Sequence, residues 1–256
     1  MITIYFSGTG NSKYIAQRFS QRMGADCYSI EIEGDIDFAA QLAMHKTVVV
    51  CYPVYGSRPP LIMRQFAAKY RDGFAGKKLI IFATQWLFSG DGARAFYDLF
   101  PEGHVQVIYA AHFLMPNNVC NLFFLPKASR RSIQKRSDAA EKKLTRICDN
   151  IKHNKIKQHG FSTISKFFGG IQGKPWLSGA EGIMQRNLKI SSNCNACGLC
   201  VMACPIQNLK CSEGKVEHRN KCTICYRCVN LCPKQAITVF FHRKPRWQYK
   251  GLEEQL

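Results

Sequence analysis

Nine of the thirteen cysteines crowd between Cys194 and Cys232, and eight of those nine fall into one pattern written twice. CNACGLCVMACP (Cys194 to Pro205) and CTICYRCVNLCP (Cys222 to Pro233) both read C-x2-C-x2-C-x3-C-P. Three thiolates this close in sequence can wrap three irons of one cubane cluster, while the fourth, followed by proline, points away to the other cluster. The motifs therefore assign Cys194, Cys197, Cys200 and Cys232 to cluster one, and Cys222, Cys225, Cys228 and Cys204 to cluster two. Paired zinc sites built from C-x2-C units are the rival, but zinc does not call for four regularly spaced cysteines twice over with terminal prolines. Gly198 lets backbone approach the cluster. Cys211 lies outside both motifs and reads as a small buried residue.

A second patch of chemistry opens the chain. The apolar run Ile2 to Phe6 passes directly into SGTGNS, Ser7 to Ser12, and then into a helical pattern. Small residues and glycines at a strand-to-helix turn present backbone N–H groups and hydroxyls to a dianionic phosphate. The loop lacks the lysine of a P-loop and the G-x-G-x-x-G of a dinucleotide fold, which disfavours ATP and NAD.

The elements that must position these groups follow from periodicity. Ile2 to Phe6, Cys27 to Ile32, Thr47 to Cys51, Lys78 to Ala83 and Val105 to Ala111 are short runs rich in β-branched and aromatic residues, each a predicted buried strand. Asn11 to Met23, Leu61 to Tyr70 and Ala93 to Phe100 have helical spacing, so the first 110 or so residues alternate β and α around a parallel sheet. A longer helix is predicted from Ser129 to His159, with Ile133, Ala140, Leu144, Ile147 and Ile151 on one face and a basic opposite face. The glycine-containing stretch Gly160 to Asn193, with Pro175, reads as an ordered connector.

The cysteine motifs resemble those of bacterial two-cluster ferredoxins over roughly Leu188 to Phe240. SGTGNS resembles the flavodoxin phosphate loop T/S-x-T-G-N-T, with Ser12 in place of the last threonine. That resemblance implies FMN, its phosphate held by Ser7, Thr9, Gly10, Asn11 and Ser12. In a flavodoxin-like sheet of order 2-1-3-4-5 the ring sits beyond the carboxyl ends of the strands, against the loops after strands three and four. YPVYGSRPP supplies Pro53, Tyr55 and Gly56 there, and TQWLFSGDG supplies Thr84, Gln85, Trp86, Gly90 and Gly92. Tyr55 and Trp86 are candidates to stack on the ring or, alternatively, to close the core edge. HFLMPNNVCN, after strand five, is a further candidate loop; His112 within it reads as structural, and no catalytic residue is assigned.

The whole chain resembles flavodoxin-ferredoxin fusion proteins of anaerobic bacteria and archaea. The implied fold is α/β, a flavodoxin-like doubly wound parallel sheet with a C-terminal α+β two-cluster ferredoxin domain. The implied domains are 1–159 flavodoxin-like, 160–186 connector, 187–241 ferredoxin-like and 242–256 a tail that either packs back between the domains or stays free. The implied function is electron transfer between two 4Fe-4S clusters and FMN and on to a redox partner. Rivals are an FMN-dependent reductase of a small-molecule acceptor fed through the clusters, and a basic surface that binds an anionic membrane or nucleic acid.

Composition bounds these readings. With 256 residues, 46% hydrophobic and 21% charged, the chain is neither disordered nor fibrous. No run reaches the roughly 18 apolar residues of a spanning helix, and MITIYFSGTG lacks the features of a signal peptide, so a cytoplasmic setting is expected. The net charge of +19 is uneven, with +2 on residues 1–125, +11 on 126–193 and +6 on 194–256. Thiolate-ligated clusters and a flavin phosphate would lower the total to roughly +13. Lys210, Lys215, Arg219, Lys221, Arg227 and Lys234 stand near the ligands and predict docking of an acidic redox protein. Acidic residues interspersed in the basic helix argue against nucleic acid.

Overall fold

The computed structural model describes residues 1–256 except positions 33, 89, 123–124, 176–178, 180, 240–241 and 253–256. Six strands, β1 (Ile2–Tyr5), β2 (Asp26–Ser29), β3 (Thr47–Pro53), β4 (Lys77–Gln85), β5 (Val105–Leu114) and β6 (Lys157–Gln158), form one sheet in the order β2-β1-β3-β4-β5-β6. Every pairing in it is parallel. Alternation sorts the side chains: Ile2, Ile4, Val48, Val50, Leu79 and Ile81 enter one core, while Tyr5, Val49, Cys51, Ile80 and Phe82 enter the other. Helices α1 (Asn11–Met23) and α5 (Arg130–Lys152) cover the second face, and α2 (Phe38–Met44), α3 (Leu61–Lys69) and α4 (Arg94–Tyr97) the first.

Several boundaries depart from the sequence reading. Helix α5 ends at Lys152 rather than His159, because Asn154 turns left-handed (φ 54°) and the Lys155 N–H bonds back to the Asn150 carbonyl. The freed chain then adds β6 beside Tyr109 and Ala110, a sixth strand beyond the five expected. α2 lies in a stretch left without an element, capped by Asp37, whose carboxylate accepts the Ala39 and Ala40 N–H groups. The connector is helical, with α6 (Thr163–Pro175) and α7 (Glu181–Arg186).

The C-terminal part pairs β7 (Leu188–Ile190) antiparallel with β10 (Ile237–Val239), and β8 (Leu209–Ser212) with β9 (Lys215–His218). Helices α8 (Leu199–Met202) and α9 (Arg227–Leu231) follow the second cysteine of each motif. Its core is continuous with the α1/α5 face of the large sheet, through Tyr226, Trp247, Tyr249 and Leu252. The described part of the tail therefore packs between the two domains. Among the described residues no helix is long and apolar enough to cross a membrane.

Candidate functional site

The phosphate loop follows β1 and ends at Gly10, which caps α1 in the left-handed conformation (φ 94°). No side chain caps this helix and no acidic residue stands in its first turn, so its positive end is available to an anion. The loop's own side chains are tied down. Ser7 Oγ accepts the Gly10 N–H at 3.1 Å, Ser12 Oγ and Thr84 Oγ1 share a hydrogen bond at 2.7 Å, and Asn11 Nδ2 donates to the Pro116 carbonyl at 3.0 Å.

A cavity of about 250 Å3 opens beside this loop. Ser7, Thr9, Asn11 and Ser12 line it together with Pro53, Tyr55 and Gly56 after β3 and Thr84, Gln85 and Trp86 after β4. Three separate loops thus meet at the carboxyl ends of the strands, as the topology requires. Two buried polar atoms on its wall, the Tyr55 hydroxyl and the Gln85 Oε1, have no partner among the described residues. A largely apolar slot with a few unsatisfied polar atoms at its wall and an uncapped helix end fits a flavin with a phosphate tail.

Three of the expected contact residues do not line this cavity. Gly10 lines a second cavity, of about 420 Å3, that shares Ser7, Gly8 and Thr9 with the first and lies against the tail. Gly90 packs against Gly169, and the Gly92 carbonyl accepts the Tyr52 hydroxyl at 2.8 Å, so neither glycine lines the ring cavity. Ser89, in the same loop, lies outside the described residues. The loop after β5 does contribute: Pro116, Asn117 and Asn118 line the cavity, and Asn118 Nδ2 donates to Thr9 Oγ1 at 3.0 Å.

His112 is buried and away from this cavity. Its Nε2 accepts the Ala93 N–H at 3.2 Å, and its ring meets His159 edge-on at 4.8 Å. Burial, with help from the neighbouring His159 and Lys143 charges, lowers its pKa to about 3, so it is a neutral structural group.

The cysteine motifs fold as a pseudo-twofold pair. Ala196 and Ile224 are left-handed, as are Gly198 and Tyr226, then Gln207 and Gln235, each at the same offset from its motif. These turns direct backbone N–H groups at sulfur: Ala196 to Cys194, Ile224 to Cys222, Asn208 to Cys204 and Ala236 to Cys232, at 3.1 to 3.4 Å. Hydrogen bonds of this kind stabilise thiolates and tune a bound cluster. Burial first, then the charges of Cys194, Cys232 and Cys197, pushes the Cys200 thiol up to about 11. Burial, then Cys225 and Cys204, pushes Cys222 up to about 12. Cys204, Cys222, Cys225 and Cys228 line one internal cavity. Among the described residues no three His, Cys, Asp or Glu side chains close on a single metal ion. The donor chemistry and the amide-to-sulfur bonds fit cubane clusters. Cys211, read as buried, is exposed on β8.

Sequence reasoning missed the contact between the two sites. Ile224 and Tyr226, from the second cysteine motif, form part of the wall of the cavity beside Ser7 to Ser12. Gly8 allows this approach, since a Cβ there would collide with the Cys225 carbonyl oxygen. Arg227 locks it: Nε donates to the Gly8 carbonyl at 3.0 Å, Nη2 to the Ser7 carbonyl at 2.6 Å, and both Nη atoms reach the Glu31 carboxylate at 2.6 and 2.7 Å. Burial works against the guanidinium charge, yet the Glu31 bond outweighs it and holds the pKa above the ordinary arginine value. Arg227 is therefore an internal clamp, not part of a docking face, and Lys210 is paired with Glu217 at 2.9 Å. From the tail, Tyr249 donates its hydroxyl to Asn11 Oδ1 at 2.6 Å, and Gln248 Nε2 donates to the Cys232 carbonyl at 2.7 Å. Nothing local in the sequence signals these contacts, whose partners in the first domain lie 196 to 238 positions away.

A flavodoxin domain family matches residues 2–114, and a 4Fe-4S binding domain family matches residues 189–210, which span the first cysteine motif. No curated protein matches the chain. Among solved structures the chain is similar to a flavodoxin from the domain Archaea (15% identity, 59% of this chain and 98% of that one, TM-score 0.37). It is also similar to Megasphaera elsdenii flavodoxin (21%, 56% and 99%, TM-score 0.36) and to the Trp repressor binding protein of Bacillus subtilis (11%, 57% and 96%, TM-score 0.40). The family matches fall on the two sites built above, and the chain is a fusion of a flavodoxin domain with a 4Fe-4S binding domain, in an electron-transfer flavo-iron-sulfur role.

Proposed function

We propose that this protein passes electrons between two 4Fe-4S clusters and FMN and on to a redox partner. The observation that carries the reading is the shared wall: the loop between Cys222 and Cys228 lines the same cavity as the phosphate loop and the two ring loops. In this reading Cys194, Cys197, Cys200 and Cys232 hold one cluster and Cys222, Cys225, Cys228 and Cys204 the other. Ser7, Thr9, Asn11 and Ser12 hold the phosphate with the α1 amides, and Tyr55 and Trp86 border the ring. When bound, clusters supply one-electron steps and flavin one- or two-electron steps.

The chain's own residues supply placement. Arg227 and Gly8 fix the cluster loop against the phosphate loop, and Ile224 and Tyr226 keep the space between them apolar. No described group at the cavity is poised for acid-base work, His112 being buried elsewhere and neutral. Lys215, Arg219, Lys221 and Lys234 remain exposed on the ferredoxin side, as do Leu199 and Met202, and in this reading the cations supply the surface for an acidic redox protein.

The test is an anaerobic stepwise reductive titration of cluster-replete protein with stoichiometric FMN, following flavin and cluster absorbance together. Redistribution of electrons between the two signals within the protein supports the reading. Independent titration, or no bound-flavin signal after FMN is added, overturns it.

A further inference from the structure

Helix α6 is mounted inside out. Its glycine face lies on the protein body: a Cβ at Gly169 would collide with the Asp91 carboxylate, and one at Gly173 with the Arg58 guanidinium. Gly90 in turn has its close contact with the Gly169 backbone. The other face carries Ile164, Phe167, Phe168 and Ile171, spaced three, one and three residues apart, and these are 69%, 65%, 46% and 55% exposed. A helix of a globular protein ordinarily buries such a stripe. Here the stripe continues onto the loop after β4, where Leu87 and Phe88 are also exposed and Phe88 meets the Phe168 ring edge-on at 5.9 Å. Six large apolar side chains thus share one outward surface, next to a loop that lines the flavin cavity.

Cations frame this surface. Lys166 is exposed on α6 itself. Arg136 donates to the Trp86 carbonyl at 2.8 Å, which ties the start of α5, with its exposed Arg130, Arg131 and Lys135, to the same loop. The segment 126–193 that contains all of them carries 15 Lys/Arg against 4 Asp/Glu. An outward apolar ridge with a basic surround is the arrangement of helices that lie in the interface of an anionic bilayer. A protein groove would have to match the ridge in shape; acyl chains need not.

We propose that α6 and the Leu87–Phe88 loop dock this protein on the surface of an anionic lipid bilayer, without spanning it. The proposal stands apart from the electron-transfer reading, because it is tested by binding alone. The experiment is co-sedimentation of the full chain, loaded with clusters and FMN, with vesicles of phosphatidylcholine containing phosphatidylglycerol and with vesicles of phosphatidylcholine alone. The expected result is binding to the anionic vesicles that weakens as salt rises. The double variant Phe167→Ser, Phe168→Ser is expected to weaken that binding by about 100-fold. The double variant Arg130→Gln, Arg131→Gln is expected to weaken it by about tenfold or more and to flatten the salt dependence. All four residues are exposed, and unchanged circular dichroism and flavin retention confirm that each variant is folded; Ile164→Ser with Ile171→Ser repeats the test on the same stripe. No binding by the unaltered protein, or equal binding by the Phe variants, overturns the proposal. So does light scattering that finds the unaltered protein dimeric and the Phe variant monomeric, which assigns the face to a second copy.

Discussion

Replacing Arg227 with methionine removes five hydrogen bonds at the junction of the two domains: two to Glu31, one each to the Ser7, Gly8 and Ala203 carbonyls. The Arg227 and Glu31 side chains are only 20% and 21% exposed, so solvent does little to replace what is lost. Breaking one side of a buried pair costs about 3 to 5 kcal/mol, and the partial exposure places this case near the lower end, about 3 kcal/mol. Much of that loss is the stranded carboxylate. The double variant Arg227→Met, Glu31→Gln, with no charge left to strand, is expected to recover about 1 to 2 kcal/mol of it. Arg227→Lys falls between, since an ammonium cannot present a planar fork to Glu31 and two carbonyls at once. The phosphate loop loses its brace as well, and about tenfold weaker FMN binding is expected. Urea unfolding at matched cofactor loading reads the first effect, and quenching of flavin fluorescence on binding reads the second. A loss below about 1 kcal/mol for Arg227→Met, or no recovery with Glu31→Gln, would refute the clamp.

Gly8→Ala drives a methyl group into the Cys225 carbonyl, a backbone atom that cannot swing aside; a loss of about 2 kcal/mol or more and weaker FMN binding are expected, whereas Gly170→Ala, with open space around it, is neutral or slightly stabilising by the same unfolding assay. His112 has its folded pKa lowered to about 3 by burial, so protons bind the unfolded chain first; stability is full above pH of about 6.5 and declines as the pH falls towards 3, by about 2 kcal/mol between pH 6.5 and 5. His112→Gln, which keeps an acceptor for the Ala93 N–H, is expected to remove that share of the decline in unfolding free energy measured across this range.

The parts legible from sequence were those whose physics is local. Val48, Val49 and Val50 form a buried strand in any parallel sheet, and β1 running into SGTGNS marks a turn into a helix whose end no side chain caps. The cysteine spacing carries its own expected ligand assignment, and Cys222, Cys225 and Cys228 of the second motif line one cavity with Cys204 of the first. The α6 stripe was present too, yet Gly169, Gly170 and Gly173 among its residues masked a helix whose contacts invert the usual pattern. β6 has two residues and owes its pairing wholly to β5. The Arg227 clamp and the Tyr249 bond to Asn11 join chain positions 196 to 238 apart, and the Ile224 contact with the cavity is similarly distant. No periodicity or short motif encodes such pairs, so Arg227 read as one more surface cation.

That junction also explains why the tail matters. The phosphate loop is held from three sides: by β1 before it, by Arg227 and Cys225 of the second motif, and by Tyr249 with Gly251 of the tail, whose backbone approaches Thr9 and Gly10. Asn230 joins two of these sides, since its Oδ1 accepts the Tyr249 N–H at 2.7 Å while its Nδ2 donates to the Asn118 carbonyl at 2.9 Å. The same residue thus links α9, the tail and the loop after β5. Whatever orders the loop from Cys222 to Cys228 must therefore also order a wall of the cavity beside Ser7 to Ser12, and the converse holds through the same bonds. If both sites are loaded, a wall shared in this way would couple their binding free energies, and any such coupling is reciprocal. A flavodoxin domain and a ferredoxin domain joined only by a linker would lack these contacts; here Arg227, Asn230 and Tyr249 make them.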